Sequence, residues 1–219
     1  MPITKAPVYF VPGLAANPRI FEHIQLPENR FTSHYLTWLL PLFEQESIED
    51  YAKRMATMVT EKDPVLVGVS FGGILVQEMA KHLSAKKVII ISSVKSHYEL
   101  PNRLRFVQKT GVYKYFPVKS IKLMERCAVF ALGDFAKKKV ALSRKYLSVR
   151  EAGYLRWAIY QVLHWKQAVP DKLLVHIHGS EDEVFPIKHI KDCVQIEGGT
   201  HAMILSKAPM IRKIIADLY

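Results

Sequence analysis

Cysteine is scarce in this sequence, and long apolar runs are missing. The 219 residues include two cysteines, Cys127 and Cys193, which are too few for a disulfide framework. No stretch approaches the ~18 consecutive apolar residues that a membrane span requires, and the first residues do not resemble a secretory signal. We therefore expect a cytoplasmic protein without a membrane span, in a reducing compartment where both cysteines are buried thiols.

Acidic residues are also few relative to basic ones. The chain has 31 Lys and Arg against 20 Asp and Glu, a net charge of +11. The excess lies in residues 95–167, where 16 basic residues meet four acidic ones for a net charge of +12, whereas the remainder carries −1. A strong basic bias is compatible with nucleic acid, a membrane surface or an anionic substrate. The asymmetry marks residues 95–167 as a separate structural unit.

Outside this basic segment, short apolar runs alternate with segments of helical periodicity. Apolar residues recur three and four positions apart in residues 48–60, 72–83 and 202–218, which predicts helices. Near-continuous apolar or β-branched runs predict strands that are buried on both faces of a parallel sheet. Those runs are residues 8–11, 35–40, 65–69, 87–92, 173–178 and 193–196. The alternation predicts an α/β fold: a mostly parallel sheet of about six strands, flanked by helices in three α/β/α layers.

The basic segment itself is predicted to contain helices and turns. Within residues 150–165, a broad stripe of aromatic and polar side chains recurs at helical spacing. Its members are Tyr154, Trp157, Tyr160, Gln161 and His164. Stripes of this kind usually bury a helix, so we interpret it as core packing rather than as a substrate wall.

The most informative motif is Gly68-Val69-Ser70-Phe71-Gly72, between an apolar strand and a helix-period segment. A sharp strand-to-helix turn with a strained serine and flanking glycines is the context of a nucleophile elbow. Glycine-rich turns can also bind phosphate, but no Gly-x-Gly-x-x-Gly or Gly-Lys-Ser/Thr motif accompanies this one. We therefore interpret Ser70 as a nucleophile.

A serine hydroxyl requires a base and a carboxylate that orients the base. His201 follows the glycines at the end of the predicted last strand, and Asp182 follows the strand at 173–178. Glu181 and Glu183 flank Asp182 and could serve in its place. Because these loops follow parallel strands, we expect them at the same sheet edge as Ser70.

These motifs together resemble the α/β-hydrolase fold superfamily. Gly179, Asp182 and Pro186 match the Gly-x-x-Asp-x-x-x-Pro pattern of its acid loop, and the order Ser, Asp, His is the order of that family. The resemblance covers both flanks of the basic segment, roughly two thirds of the chain. It implies Ser70 as the nucleophile, Asp182 as the acid and His201 as the base, with no metal or organic cofactor.

The resemblance also implies an oxyanion hole. In the family, the residue after the nucleophile and one residue of the loop after the first strand donate backbone N–H groups, which here are Phe71 and Leu14. Many relatives have histidine before the glycine of that loop, where this chain has Pro12.

The position of the basic segment matches that of a helical cap in the same family. We predict an α/β core of residues 1–94 and 168–219 and a basic helical cap insertion at 95–167. A cap carrying Lys137, Lys138 and Lys139 could attract an ester or thioester with a negative charge, or it could face outward and favour solubility.

Two other interpretations compete for single motifs. His176 and His178 lie on one face of a strand, as metal ligands can, but no third ligand at suitable spacing accompanies them. The basic segment lacks a recognisable nucleic-acid-binding module, so we expect no nucleic-acid partner.

The function predicted from these residues is a serine hydrolase that cleaves carboxylic esters or thioesters through an acyl-enzyme. Its partner would be a small-molecule substrate. The alternative is a ligand-binding or receptor protein on the same fold with little or no turnover.

Overall fold

A single six-stranded sheet organises the molecule, whose computed structural model describes residues 5–115, 141 and 144–219. Every neighbouring pair of strands is parallel, and the order is β2-β1-β3-β4-β5-β6. The strands are β1 (Ala6–Val11), β2 (Phe31–Tyr35), β3 (Val65–Val69), β4 (Lys87–Ile91), β5 (Leu174–Gly179) and β6 (Val194–Ile196). The helices of this part of the chain include α1 (Ile48–Ala56), α2 (Phe71–Ala80), α3 (Asn102–Thr110), α4 (Ala152–His164), α5 (Met203–Ser206) and α6 (Ala208–Asp217).

The sheet separates two apolar clusters, one on each face. Alternate residues of β1 contribute to different clusters: Tyr9 and Val11 pack with α1, α2 and α4, whereas Val8 and Phe10 pack with α6. Both faces of β1, β3 and β4 are therefore buried, as the continuous apolar runs predict. The predicted α/β fold with a parallel six-stranded sheet and flanking helices is confirmed.

Two predicted elements differ from the structure. The strand predicted at residues 35–40 is wrong, because β2 is Phe31–Tyr35 and the apolar residues beyond it leave the sheet. Among them, Trp38 donates its indole N–H to carbonyl oxygens of the loop after β1. The helix predicted at 202–218 is divided into α5 and α6, because Pro209 in the first turn of α6 cannot continue a preceding helix.

The described part of residues 95–167 contains α3 and α4 but no strand. Tyr154 and Trp157 of α4 are almost fully buried in the cluster with α1 and α2, as the core-packing interpretation predicts, whereas Tyr160 is 44% exposed. The division of the chain into core and cap stays a prediction.

Residues 137–139 and Cys127 lie outside the described residues, and Cys193 is half-buried rather than buried. None of the described helices has the length and apolarity that crossing a membrane requires.

Glu46 joins α4 to the segment between β2 and α1. Its side chain is 1% exposed and forms a two-pronged ion pair with Arg54 of α1, with N–O distances of 2.8 and 2.9 Å. Its backbone oxygen accepts hydrogen bonds from the Trp157 indole at 2.8 Å and from the Gln161 amide at 3.0 Å. One residue thus ties three segments together beside the core.

Replacing Arg54 with methionine should destabilise the fold, because the carboxylate of Glu46 would stay buried without its cation. We expect a loss of about 3 kcal/mol in the free energy of unfolding, measured by urea denaturation. Lys53 on the same helix is exposed, so Lys53→Met is the matched control and should change stability little. Equal stability of the two variants would contradict this role of the ion pair.

Candidate active site

Four loops meet at the carboxyl edge of the sheet. Because all six strands are parallel, the loops after β1, β3, β5 and β6 leave the sheet on the same side. They carry Leu14, Ser70, Asp182 and His201. The predicted site residues therefore come from separate parts of the sequence and converge at one place.

Ser70 lies in a strained turn between β3 and α2. Its φ angle is +53°, a region that residues with side chains rarely adopt. The turn needs glycine on both sides: a Cβ on Gly68 would lie 2.2 Å from the Gly72 oxygen, and one on Gly72 would lie 2.2 Å from the Pro12 oxygen. The two glycines thus let strand, turn and helix pack at distances that other residues forbid.

Neighbouring groups hold the backbone of Ser70 in this conformation. Its N–H donates to the oxygen of Ile91 at 2.9 Å. Its carbonyl oxygen accepts from the Ser93 hydroxyl at 2.7 Å and from the Gly73 N–H at 2.9 Å. Ser93 was not singled out in the sequence, because nothing local indicates that it reaches Ser70.

The side chains of Ser70, His201 and Asp182 form a hydrogen-bonded row. His201 Nε2 lies 3.0 Å from Ser70 Oγ. His201 Nδ1 lies 2.9 Å from Asp182 Oδ2 and 3.1 Å from Oδ1. A carboxylate accepts only, so Nδ1 carries the proton and Nε2 of the neutral ring is free to accept the serine hydroxyl proton. The hydroxyl, imidazole and carboxylate thus have the spacing that general-base activation of a hydroxyl requires.

Asp182 is held as an ionised carboxylate in a buried position. Its Oδ1 accepts the backbone N–H groups of Val184 at 2.8 Å and Phe185 at 2.9 Å. Burial by itself raises the pKa of Asp182, but the hydrogen bond and charge of His201 and the N–H of Phe185 lower it, and the net pKa is below the usual value. Glu181 and Glu183 are exposed, so of the three acids it is Asp182 that reaches His201.

A sequence model of the alpha/beta hydrolase family matches residues 8–210. The chain belongs to this family. No curated protein sequence matches it.

Solved structures of other proteins share the fold of this alpha/beta hydrolase at low sequence identity. A thermophilic esterase from Thermogutta terrifontis is 16% identical with a TM-score of 0.63, and the match covers 99% of this chain and 90% of that one. An epoxide hydrolase from Bacillus megaterium is 12% identical with a TM-score of 0.67, covering 98% and 93%. A lipase-esterase related protein from Clostridium acetobutylicum is 14% identical with a TM-score of 0.63, covering 98% and 94%. At these identities the likeness concerns the fold.

The loop after β1 brings the backbone of this alpha/beta hydrolase close to Ser70. A Cβ on Gly13 would lie 3.5 Å from the Ser70 Cβ. Among the described residues, no hydrogen bond occupies the N–H of Leu14 or of Phe71. Both predicted oxyanion donors are thus unoccupied near the serine. The Trp38 indole N–H donates to two carbonyl oxygens of this loop, with N–O distances of 3.2 Å to Gly13 and 3.1 Å to Ala16.

Asn17 joins the same loop to residues 145–148 of the basic segment. Its side-chain amide donates to the Lys145 oxygen and to the Ser148 hydroxyl, each at 2.9 Å, and its backbone N–H donates to the Tyr146 oxygen at 2.8 Å. The Val149 N–H donates to the oxygen of Ala15, whose φ is +63°, at 3.0 Å. Sequence reasoning missed Asn17 because these partners lie about 130 positions away in the chain.

An apolar cavity of about 400 Å³ opens beside the serine of the alpha/beta hydrolase. Ser70 and His201 are among the residues that line it. Apolar side chains form the rest, together with Gly13: Leu14, Ala16, Ile20, Val69, Tyr146, Leu147, Ala202, Ile204 and Leu205. A second, open cleft of about 1030 Å³ adjoins His201 and Asp182, and its charged side chains include Arg103 and Lys188 as well as Glu181 and Glu183. The two depressions meet at His201.

Replacing Asp182 with asparagine should reduce kcat/KM of this hydrolase for an activated ester by about 10⁴-fold, because the amide can hold the imidazole in the wrong tautomer. Stopped assays with a p-nitrophenyl ester measure the effect. Glu183→Gln is the control and should leave kcat/KM nearly unchanged. A large loss in the control with a small loss in Asp182→Asn would show that the acid is misassigned.

Proposed function

We propose that the protein is a serine hydrolase that cleaves carboxylic esters or thioesters through an acyl-enzyme on Ser70. The observation that carries the proposal is the row from Ser70 Oγ to His201 and Asp182, with distances of 3.0 and 2.9 Å, on a serine in a strained turn. A serine that served only structure would not need a base in line with its hydroxyl. The family membership of the chain supports the same reaction class.

In the first half of the reaction, Ser70 Oγ attacks the acyl carbon while its proton passes to His201 Nε2. The carbonyl oxygen becomes an oxyanion, which the N–H groups of Leu14 and Phe71 bind. Asp182 stabilises the imidazolium without taking its proton. When the bond to the leaving group breaks, His201 gives the proton to the departing alcohol or thiol, and the acyl group stays on Ser70.

In the second half, water replaces the leaving group. His201 Nε2 takes a proton from the water as its oxygen attacks the acyl carbon, and the same oxyanion donors bind the intermediate. Collapse of the intermediate returns the proton to Ser70 Oγ and releases a carboxylic acid. The reaction as a whole converts the ester or thioester and one water molecule into a carboxylic acid and an alcohol or thiol.

The apolar cavity beside Ser70 suits the acyl portion of the substrate. It has a volume of about 400 Å³, near the lower end of the range for small-ligand sites, and its lining beyond the catalytic pair is almost entirely apolar. The leaving group must lie near His201, which protonates it, and His201 also lines the open polar cleft. We therefore propose an ester or thioester with an apolar acyl group of modest size and a polar leaving portion.

A preference for anionic substrates is a further part of the proposal. Around the described cleft, Arg103 and Lys188 are offset by Glu181 and Glu183, and the carboxylate of Asp182 adds a further negative charge. Any attraction of anions would therefore depend on the remaining charge of residues 95–167, above all on Lys137, Lys138 and Lys139.

Replacing Ser70 with alanine should remove turnover of short p-nitrophenyl esters, because no other nucleophile replaces the hydroxyl. A fluorophosphonate probe should label the wild-type protein at Ser70, located by mass spectrometry, and should leave the variant unlabelled. The melting temperature should stay close to that of the wild type, since the Cβ and the backbone contacts are kept. Retained turnover in the variant would contradict the assignment of Ser70 as the nucleophile.

Activity should rise with acyl length and then fall once the cavity is full. Each added methylene buried in the cavity should raise kcat/KM by about fourfold, equivalent to about 0.8 kcal/mol. A series of p-nitrophenyl esters from acetate upward measures this dependence. Leu205→Trp should shift the optimum to shorter chains while sparing acetate, whereas Met210→Trp on the exposed side of α6 should not. The same optimum in both variants would contradict the assignment of the cavity.

A further inference from the structure

A buried pair of histidines lies next to Asp182 and takes no part in the reaction as described. His176 and His178 are alternate residues of β5, so their side chains leave the sheet on one face. They are 2% and 0% exposed. Their rings meet edge to face, with His176 Nε2 lying 3.0 Å from His178 Nδ1. The facing nitrogens thus bind each other, which is a different arrangement from two ligands that converge on a metal.

The hydrogen bonds of the pair determine where its protons lie. His178 Nε2 is 2.8 Å from the Phe185 carbonyl oxygen, which can only accept, so Nε2 carries a proton. Nδ1 of a neutral His178 is then an acceptor, and His176 Nε2 must donate to it. The Phe185 carbonyl thus sets the tautomer of His178, and a His176 N–H that donates to Nδ1 reinforces it.

This N–H supports the turn that holds the acid of the row. The backbone N–H groups of Val184 and Phe185 bind Asp182 Oδ1, and the carbonyl of Phe185 is the group that His178 binds. His178 Nε2 is also 3.6 Å from Asp182 Oδ2, the oxygen nearest to His201 Nδ1. The N–H of His178 thus binds the turn at Phe185, and the nitrogen that carries it lies close to the carboxylate of Asp182.

We propose that His178 is a positioning residue for Asp182, and that His176 reinforces the tautomer of His178 that this role requires. The inference rests on the proposed serine hydrolase function for its kinetic readout. Its structural part concerns the geometry of the contact between Asp182 and His201 and can be tested without substrate.

The pair acts as a neutral dipole rather than as a charge. Burial lowers the pKa of His178, and burial together with the adjacent His178 lowers the pKa of His176 to about 3. The charged or titratable groups that face the pair are Asp182, His201 and, after β4, Lys95. Because both pKa values are lower in the folded protein than the ordinary value of about 6.5, the neutral pair stabilises the fold fully above that pH. This stabilisation is lost as the pH falls toward 3.

Two substitutions of His178 test the proposal at pH 7 to 8. His178→Phe keeps a ring of similar size but removes the N–H, whereas His178→Gln restores an amide N–H that can reach the Phe185 oxygen. His82, which is exposed, provides the control His82→Phe. Each protein is assayed for kcat and KM across pH, and its one-dimensional proton NMR spectrum is searched for the strongly downfield proton that His201 Nδ1 shares with Asp182.

We expect His178→Phe to lower kcat by about 10- to 100-fold with little change in KM, as supporting partners of a catalytic group commonly do. The acid limb of its kcat/KM profile should move to lower pH by about half a unit or more, because a misplaced carboxylate stabilises the imidazolium of His201 less. The downfield proton should weaken or broaden. His178→Gln should recover most of the rate, the acid limb and the resonance.

Equal losses in His178→Phe and His178→Gln, with the acid limb and the downfield proton unchanged, would overturn the proposal and leave His178 as a packing residue. If His178→Phe fails to fold, the same measurements on His178→Gln test the proposal. Loss of the downfield proton in His178→Gln would then contradict the positioning role. A wild-type protein that shows the downfield proton but turns over no ester would contradict the proposed function while leaving the positioning role intact.

Discussion

The close approach of three backbone segments at Ser70 is the constraint on which the rest of the site depends. Strand β3, the first turn of α2 and the end of β1 pack at distances that only Gly68 and Gly72 permit. A serine at φ +53° carries strain of about 1–3 kcal/mol, which the surrounding hydrogen bonds and buried core must offset. Because the turn is fixed in this way, Ser70 Oγ has a defined position to which the loops after β5 and β6 can be matched. Relaxing the turn would misalign every contact of the row at once.

Local features were predictable and long-range ones were not. The turn around Ser70 could be predicted from the sequence because the strand, the glycines and the helix are contiguous. The loops with Asp182 and His201 carry their own glycine and proline signals, and parallel strands bring both to one edge. By contrast, the prediction placed β2 about four residues too late in the sequence. Thr-Ser-His in an edge strand lacks the apolar pattern of a buried strand, and Leu36, Trp38 and Leu39 after it pack in or against an apolar cluster instead. Asn17 could not be assigned a role because its partners are distant in sequence and involve backbone oxygens, which leave no pattern.

The basic segment has a second use that its charge alone does not suggest. Several of its described cations donate to backbone carbonyl groups: Arg103 to Glu183 and Val184, Arg105 to Tyr98, and Lys95 to Lys191 and Asp192. Lys145 pairs with the carboxylate of Glu22. Apart from the Arg105 contact, which lies within the segment, these side chains join the segment to the rest of the chain, and Arg103 reaches the turn next to Asp182. Part of the positive charge therefore also has a structural role. A neutral carbonyl does not cancel the charge of the cation that binds it, whereas Glu22 offsets that of Lys145.

The attachment of Asn17 to residues 145–148 has a consequence for how binding and rate are related. The same peptide stretch that supplies Tyr146 and Leu147 to the wall of the cavity is hydrogen-bonded to the loop that carries the N–H of Leu14. In the proposed mechanism, an acyl chain that contacts this wall would therefore act on the loop that carries the proposed oxyanion donor Leu14. Binding energy from the remote end of a substrate can then stabilise the transition state more than it stabilises the initial complex. The proposed hydrolase would then distinguish substrates that fill the cavity by turnover rate more than by affinity.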